Sequence, residues 1–217
     1  DKIKDSQKIK LVSIYSHLAA SEDLDEKKFT KMQINLFKKI ASTIKSKISE
    51  KPMLHMSNTS GILNYDECEF DMVRSGIGLY GYNNELDKNL KPVHKLKSII
   101  SQIIIAEKGD SIGYNRKFIC DAKTKIGVIP MGHADGISRS FSKNGYVFIK
   151  GAKTKVIGNI CMDVFMVNLN GMDVKEGDEI VVFDTKNNAE SFASSVGTIS
   201  YEILTNLSSR IERKFIH

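Results

Sequence analysis

Apolar positions fall in short runs broken by polar turns along all 217 residues, and their spacing changes near Gly81. Before that point, Leu11 to Leu18 (LVSIYSHL) is a β-rich run. Asp23 followed three positions later by Glu26 makes a helix start. Phe29, Met32, Leu36, Ile40, Ile44 and Ile48 then recur every three or four residues and predict an amphipathic helix. Short apolar runs follow at Met53 to Met56, Phe70 to Val73 and Ile77 to Tyr80. Strand, helix and strand in that order point to parallel β/α units.

Beyond Gly81 the texture is different. Asn83 to Asn89 (NNELDKN) reads as a polar linker. Strand-like runs then come at Lys97 to Ala106, Lys125 to Pro130, Tyr146 to Ile149, Thr154 to Ile157, Val164 to Leu169 and Glu179 to Phe183. Turn formers separate them, among them Asn144-Gly, Asn170-Gly and Glu176-Gly-Asp. One helix is expected from Asn188 to Val196. The fold class is therefore α/β plus all-β, with domains at 1–82 and 91–217 and a linker over 83–90. Two or three β/α units neither close a sheet nor cover both its faces, so the first part reads as a portion of a larger β/α fold.

Composition narrows the function classes. There are 32 basic and 26 acidic residues, a net charge of +6, and no tryptophan. Only five of the basic residues are arginines, and the lysines are dispersed, unlike the clustered basic and aromatic surface of a nucleic-acid binder. No apolar run reaches membrane-spanning length. Cys68, Cys120 and Cys161 are three, far apart and without a CxxC pair, which fits reduced thiols in a cytoplasmic protein and gives no metal framework.

Several segments place polar groups where a strand should end, the position at which β/α folds build sites. These are Ser16-His17-Leu18, His55-Met-Ser-Asn58-Thr59-Ser60-Gly61 and Arg74-Ser-Gly76-Ile77-Gly78 in the first part. In the second they are Ile112-Gly113-Tyr114-Asn115-Arg116, Gly132-His133-Ala134-Asp135-Gly136 and Gly158-Asn-Ile-Cys161-Met162-Asp163. Glycines beside an arginine or hydroxyls let backbone N–H groups approach an anion, and equally make ordinary turns.

Taken in order, His17, His55-x-x-Asn58-Thr59, Arg74-x-Gly76-Ile77, Tyr80-Gly81, Gly113-Tyr114, Gly132-x-Ala-Asp-Gly136, Cys161-Met162-Asp163 and Thr198-Ile-Ser-Tyr201-Glu202 closely resemble the alanine racemase family, from about Leu11 to Phe215. The resemblance implies the C-terminal portion of a (β/α)8 barrel followed by a mostly antiparallel β domain. It also implies a homodimer with shared sites, and interconversion of L- and D-alanine with pyridoxal 5'-phosphate, supplying D-alanine for peptidoglycan. Inversion takes a base on each face of the substrate; one resembles Tyr114 and the other is the family's cofactor lysine. A free phenol holds its proton at neutral pH, so such a base needs a proton path, which His17 suits. Arg74 resembles the arginine facing the cofactor's pyridine nitrogen, with His55 holding it. Thr59, Tyr201, Gly76 and Ile77 resemble the phosphate clamp, with Asn58 beside it, and Met162, Asp163 and His133 the substrate end.

Some positions depart from the family pattern. The cofactor lysine and an upstream arginine have no counterpart in this chain, which is expected to be an inactive fragment by itself. His133 stands where the family usually has tyrosine, Thr59 where it has serine, Ser75 where it has proline and Asn115 where it has glycine. The other readings are a non-catalytic dimerisation piece, a related pyridoxal-phosphate racemase or decarboxylase, and a basic nucleic-acid-binding β domain.

Overall fold

A computed structural model describes residue 6 and residues 8–83 and 90–216. The linker expected over 83–90 lies outside the described residues except at its two ends. The chain divides into two compact units, Asp1–Lys91 and Pro92–His217. Among the described residues, no helix is long and apolar enough to cross a membrane.

The first unit runs β1 (Ser13–Tyr15), α1 (Lys27–Lys45), β2 (Met53–His55) and α2 (Thr59–Asn64). β1 and β2 are parallel, with Ser13 opposite Met53 and Tyr15 opposite His55. Parallel strands need a crossover between them, and α1 provides it. The expected run at Phe70 to Val73 contributes only a parallel bridge from Met72 to His55. Its Asp71 carboxylate instead accepts from the Leu54 amide at 2.7 Å. The run at Ile77 to Tyr80 is a 3-10 turn, ended by Gly81 in the left-handed region at φ 82°.

Helix α1 is amphipathic, but the predicted stripe is not the buried one. Phe29, Met32, Leu36 and Ile40 are exposed, whereas Thr30, Ile34, Phe37 and Ala41 are buried. At 100° per residue the two stripes lie roughly 120° apart around the helix. Both are spaced three and four apart, and only the second meets the core of Leu18, Met56, Tyr65 and Cys68. Burying Ile34 and Phe37 contributes on the order of 1.5–3 kcal/mol each. The helix stops at Lys45, so Ile48 lies beyond it, and Glu26, not Asp23, occupies its N-cap. Asp23 instead accepts from the Asp25 amide within the preceding turn.

The second unit is β-rich. Its strands are β3 (Leu96–Ile99), β4 (Gln102–Ala106), β5 (Ser111–Ile112), β6 (Phe118–Ile119), β7 (Thr124–Ile129), β8 (Tyr146–Ile149), β9 (Ala152–Ile157), β10 (Phe165–Asn168) and β11 (Glu179–Phe183). Short α3 (Phe141–Asn144) precedes β8, and α4 (Ala189–Val196) and α5 (Ser200–Asn206) follow β11. Seven strands form one antiparallel sheet in the order β3-β11-β8-β9-β10-β7-β4, with β5 and β6 as a separate hairpin. The run expected over Lys97 to Ala106 is broken at Ile100–Ser101. That break lets β3 and β4, adjacent in the chain, occupy opposite ends of the sheet. The Ile100 amide bonds to Asp178 and the Ser101 amide to Val128, so the sheet curls round on itself. Phe141, Phe165, Phe183 and Phe192 pack under it with ring centroids 4.5 to 6.1 Å apart. Helix α4 begins at the expected Asn188, whose side chain accepts from the Ser191 amide, and ends at Gly197 in the left-handed region. A partial barrel joined to a β domain is the architecture.

Candidate active site

In the first unit the site is built where β1 and β2 end. Arg74 is held between them. Its Nη2 donates to the carbonyls of Ser16 at 2.9 Å and Met56 at 3.1 Å. The same guanidinium lies 3.4 Å from Nδ1 of His55 and 3.4 Å from Nδ1 of His17. A guanidinium only donates, so a hydrogen bond at either contact would need a lone pair on the Nδ1 that faces it. Tyr15 stacks on His55 with ring planes 3° apart and centroids at 5.2 Å, and Arg74 lies over the Tyr15 ring at 5.5 Å. His55 is buried under this stack while His17 is exposed.

A second feature adjoins it. The Thr59 hydroxyl oxygen accepts from the amides of Gly76 and Gly78, each at 3.2 Å. A Cβ at Gly78 would sit 2.8 Å from the Thr59 methyl, and at Gly76 nothing lies within 4 Å. The missing side chains therefore let backbone and hydroxyl converge and leave the Gly76 side open. Both N–H groups are taken up by the Thr59 oxygen, and the hydroxyl keeps its own proton to give to an anion on the open Gly76 side. Asn58 is committed to structure: its Oδ1 accepts from the Gly61 amide at 2.9 Å and the Ser21 hydroxyl at 2.8 Å. Ile77 is buried at the start of the 3-10 turn.

In the second unit Tyr114 stands on the hairpin between β5 and β6, 69% exposed. Its backbone is constrained. Gly113 has φ 77°, and a Cβ there would lie 3.0 Å from the Asn159 amide. Asn115 and Arg116 follow at φ 59° and 50°, where asparagine is better tolerated than most residues. Asn159 Nδ2 donates to the Tyr114 carbonyl at 2.9 Å. Tyr114, Met162 and Asp163 line an open groove of about 540 Å³.

The loop bearing Met162 and Asp163 is fixed from behind. Its Cys161 and Met162 carbonyls accept from the His133 and Ala134 amides, each at 3.0 Å. A Cβ at Gly132 would come 2.3 Å from the Met162 carbonyl oxygen, so only glycine allows the approach. His133 thus meets this loop through its backbone, with its side chain exposed. Tyr201 lies in the first turn of α5, half-buried. Nothing in the apolar pattern singles out Tyr15 or Arg210. Asn159 and Asp135 sit in polar segments where an ordinary turn residue looks the same.

Comparison with known proteins closes the question of ancestry. The family model "Alanine racemase, N-terminal domain" matches residues 1–84, and "Alanine racemase, C-terminal domain" matches residues 93–215. An alanine racemase of Cutibacterium acnes is 35% identical over 216 residues, covering 96% of this chain and 58% of that protein. The solved alanine racemase of Clostridium difficile 630 in complex with cycloserine is similar at 34% identity and a TM-score of 0.86, over 97% of this chain and 57% of that one. The alanine racemase of Bartonella henselae with covalently bound pyridoxal phosphate is similar at 30% identity and a TM-score of 0.83, over 94% and 56%. The chain thus spans somewhat over half the length of the relatives it matches. On its sequence and on both of its units, it belongs to the alanine racemase family.

Proposed function

We propose that this chain serves as the C-terminal part of a pyridoxal-phosphate-dependent alanine racemase, a cytoplasmic homodimer that supplies D-alanine for peptidoglycan. The observation that carries the reading is the fourfold cradle of Arg74, set beside the turn in which the Thr59 hydroxyl gathers the Gly76 and Gly78 amides. An arginine fixed by two carbonyls and flanked by two imidazoles presents a permanent cation at one place, and the Thr59 hydroxyl presents a phosphate donor near it.

Thr59, the Ile77 amide, the Gly76 amide once released from the Thr59 oxygen, and Tyr201 would hold the cofactor phosphate, with Asn58 shaping the turn beneath it. Arg74 would face the pyridine nitrogen, keeping it unprotonated because a guanidinium does not give up its proton. Bound there, pyridoxal phosphate would supply the sink for the electrons left when Cα loses its proton. Tyr114, exposed on its pinned hairpin, would carry the proton on one face, acting in the partner subunit's barrel, with His17 providing the proton path. Met162, Asp163 and His133 would bound the alanine. The base for the other face would be a lysine from the part of the relatives that this chain does not span, and without it the chain is inactive.

The test has two steps. The 217-residue chain alone, given pyridoxal phosphate and borohydride, should retain no reduced cofactor, and a retained adduct would refute the missing-lysine account. Supplied with the remaining barrel portion of a relative, it should racemise alanine. Tyr114→Phe should then lower the rate by about 10²–10⁴-fold, the usual range for a positioned acid or base. Undiminished racemisation by that variant would reject Tyr114 as the base.

A further inference from the structure

Arg210 belongs to none of the family features described above, yet its guanidinium joins two loops of the second unit. Its Nη1 donates to Asp163 at 3.0 Å, and its Nε lies 3.5 Å from Asp135. Asp135 is buried, and its other carboxylate oxygen accepts from the Gly132 amide at 2.9 Å. One cation therefore spans the Gly132–Asp135 turn and the Cys161–Asp163 loop, the same two segments whose backbones are joined by the His133 and Ala134 amides.

The stretch that presents Arg210 has no regular structure but is well tied down. After α5 ends at Asn206, the Ser208 amide donates to the Asp135 carbonyl at 3.2 Å. Arg213 folds back to donate to the carbonyls of Leu207 at 3.0 Å and Ile211 at 2.6 Å, and also to that of Ser208. Gly136, at φ 103°, is required here: a Cβ would lie 2.4 Å from the Asn206 carbonyl oxygen. The segment thus lies directly against the turn that carries Asp135.

We propose that Arg210 is a positioning residue for the substrate end of the site, holding the Cys161–Asp163 loop in place and balancing the Asp163 charge toward a carboxylate-bearing substrate. This rests on the racemase reading. An isolated surface ion pair contributes little. Here one carboxylate is buried and hydrogen-bonded, and the other lines the groove of Tyr114. Without Arg210 that groove presents an unbalanced carboxylate, and an amino-acid carboxylate approaches it against like charge. With Arg210 in place, the Asp163 oxygen is turned toward the tail and the groove is open to an anion.

The experiment compares Arg210→Ala, Arg210→Lys and the double variant Arg210→Ala/Asp163→Asn in the full-length holoenzyme. Arg210→Ala should raise KM for alanine about tenfold while kcat changes less than about threefold, and the KM penalty should shrink as salt screens the exposed charge. The lysine variant should recover part of the loss, and the double variant should recover the salt-sensitive part. Independently of turnover, hydrogen exchange at the His133 and Ala134 amides should accelerate in Arg210→Ala and less so in Arg210→Lys. KM and kcat falling together without salt dependence would reduce Arg210 to a structural role. Unchanged amide exchange in both single variants would overturn the clamp. If the unsubstituted enzyme does not racemise alanine, the functional reading fails, while the exchange measurement still decides on the clamp. Should Arg210→Ala not fold, the lysine variant alone carries both readouts.

Discussion

Replacing Arg74 should separate the contribution of its charge from that of its shape. The guanidinium makes two well-formed bonds to carbonyls, at 2.9 and 3.1 Å, and two longer contacts to imidazole nitrogens at 3.4 Å. A hydrogen bond involving a charged donor is worth roughly 1.5–3 kcal/mol net, and the half-buried setting of Arg74 argues for the lower end. The imidazole contacts lie beyond the usual distance range and add little. Truncation to alanine should therefore cost about 3 kcal/mol, the sum of two such bonds. Lysine keeps the charge but replaces the planar fork with a single ammonium, which can serve one carbonyl well, so Arg74→Lys should cost about half as much. Urea unfolding of the 217-residue chain, followed by circular dichroism, measures both. If Arg74→Lys matches the unsubstituted chain within about 0.5 kcal/mol, the size scattered surface substitutions show, shape is irrelevant and the cradle argument is wrong. If the two variants lose equally, charge is irrelevant.

Three further outcomes follow from other parts of the molecule. Burial holds the His94 imidazole below its ordinary value of 6.5, where it packs edge-on to Phe183. The unfolded chain then binds the proton more readily, so this contribution to stability is complete above about pH 6.5 and is lost as pH falls through the lower folded value; His94→Gln should flatten that acid limb in a melting series, and an unchanged limb refutes it. Burial also pushes the Cys68 thiol up, and Cys120 is buried, whereas Cys161 is half-buried. Ellman's reagent at pH 8 should label Cys161 first, and early labelling of Cys68 would contradict its packing against Ser57. In α1, Ile34→Ala should cost about 2–5 kcal/mol as a core truncation, against less than about 0.5 kcal/mol for Leu36→Ala. Equal losses in denaturant titration of the 217-residue chain would mean the buried stripe has been misassigned.

The contrast within α1 shows where sequence reading stops. Phe29, Met32, Leu36 and Ile40 are larger and more apolar than Thr30 and Ala41, so periodicity favours them. The structure buries the other stripe because Thr30 donates to the Ala20 carbonyl and Ile34 and Phe37 meet Leu18 and Met56. Those neighbours lie on other elements, and no local pattern contains them. Strands fared better where a glycine turn bounded the run, as at Tyr146–Ile149, between Gly145 and Gly151, and at Glu179–Phe183, which follows the turn at Gly177. Helix α5 escaped notice because its seven residues mix polar and apolar positions too briefly to show a period. The order of site residues was legible through family resemblance, and most of their neighbours were not. Tyr15 sits inside an apolar run, and Arg210 lies 47 positions from Asp163 in a segment without periodicity.

The two-residue break at Ile100–Ser101 has a consequence for synthesis. Because β3 sits at one end of the curled sheet and, among the described strands, pairs with β11 alone, its partner is the last strand of that sheet to be translated. On the ribosome, Leu96–Ile99 must wait with an unsatisfied edge until Glu179–Phe183 has emerged. Pairings between distant segments form slowly and leave nascent chains open to association. A stalled or truncated message ending before residue 183 would release the second unit with its seam open.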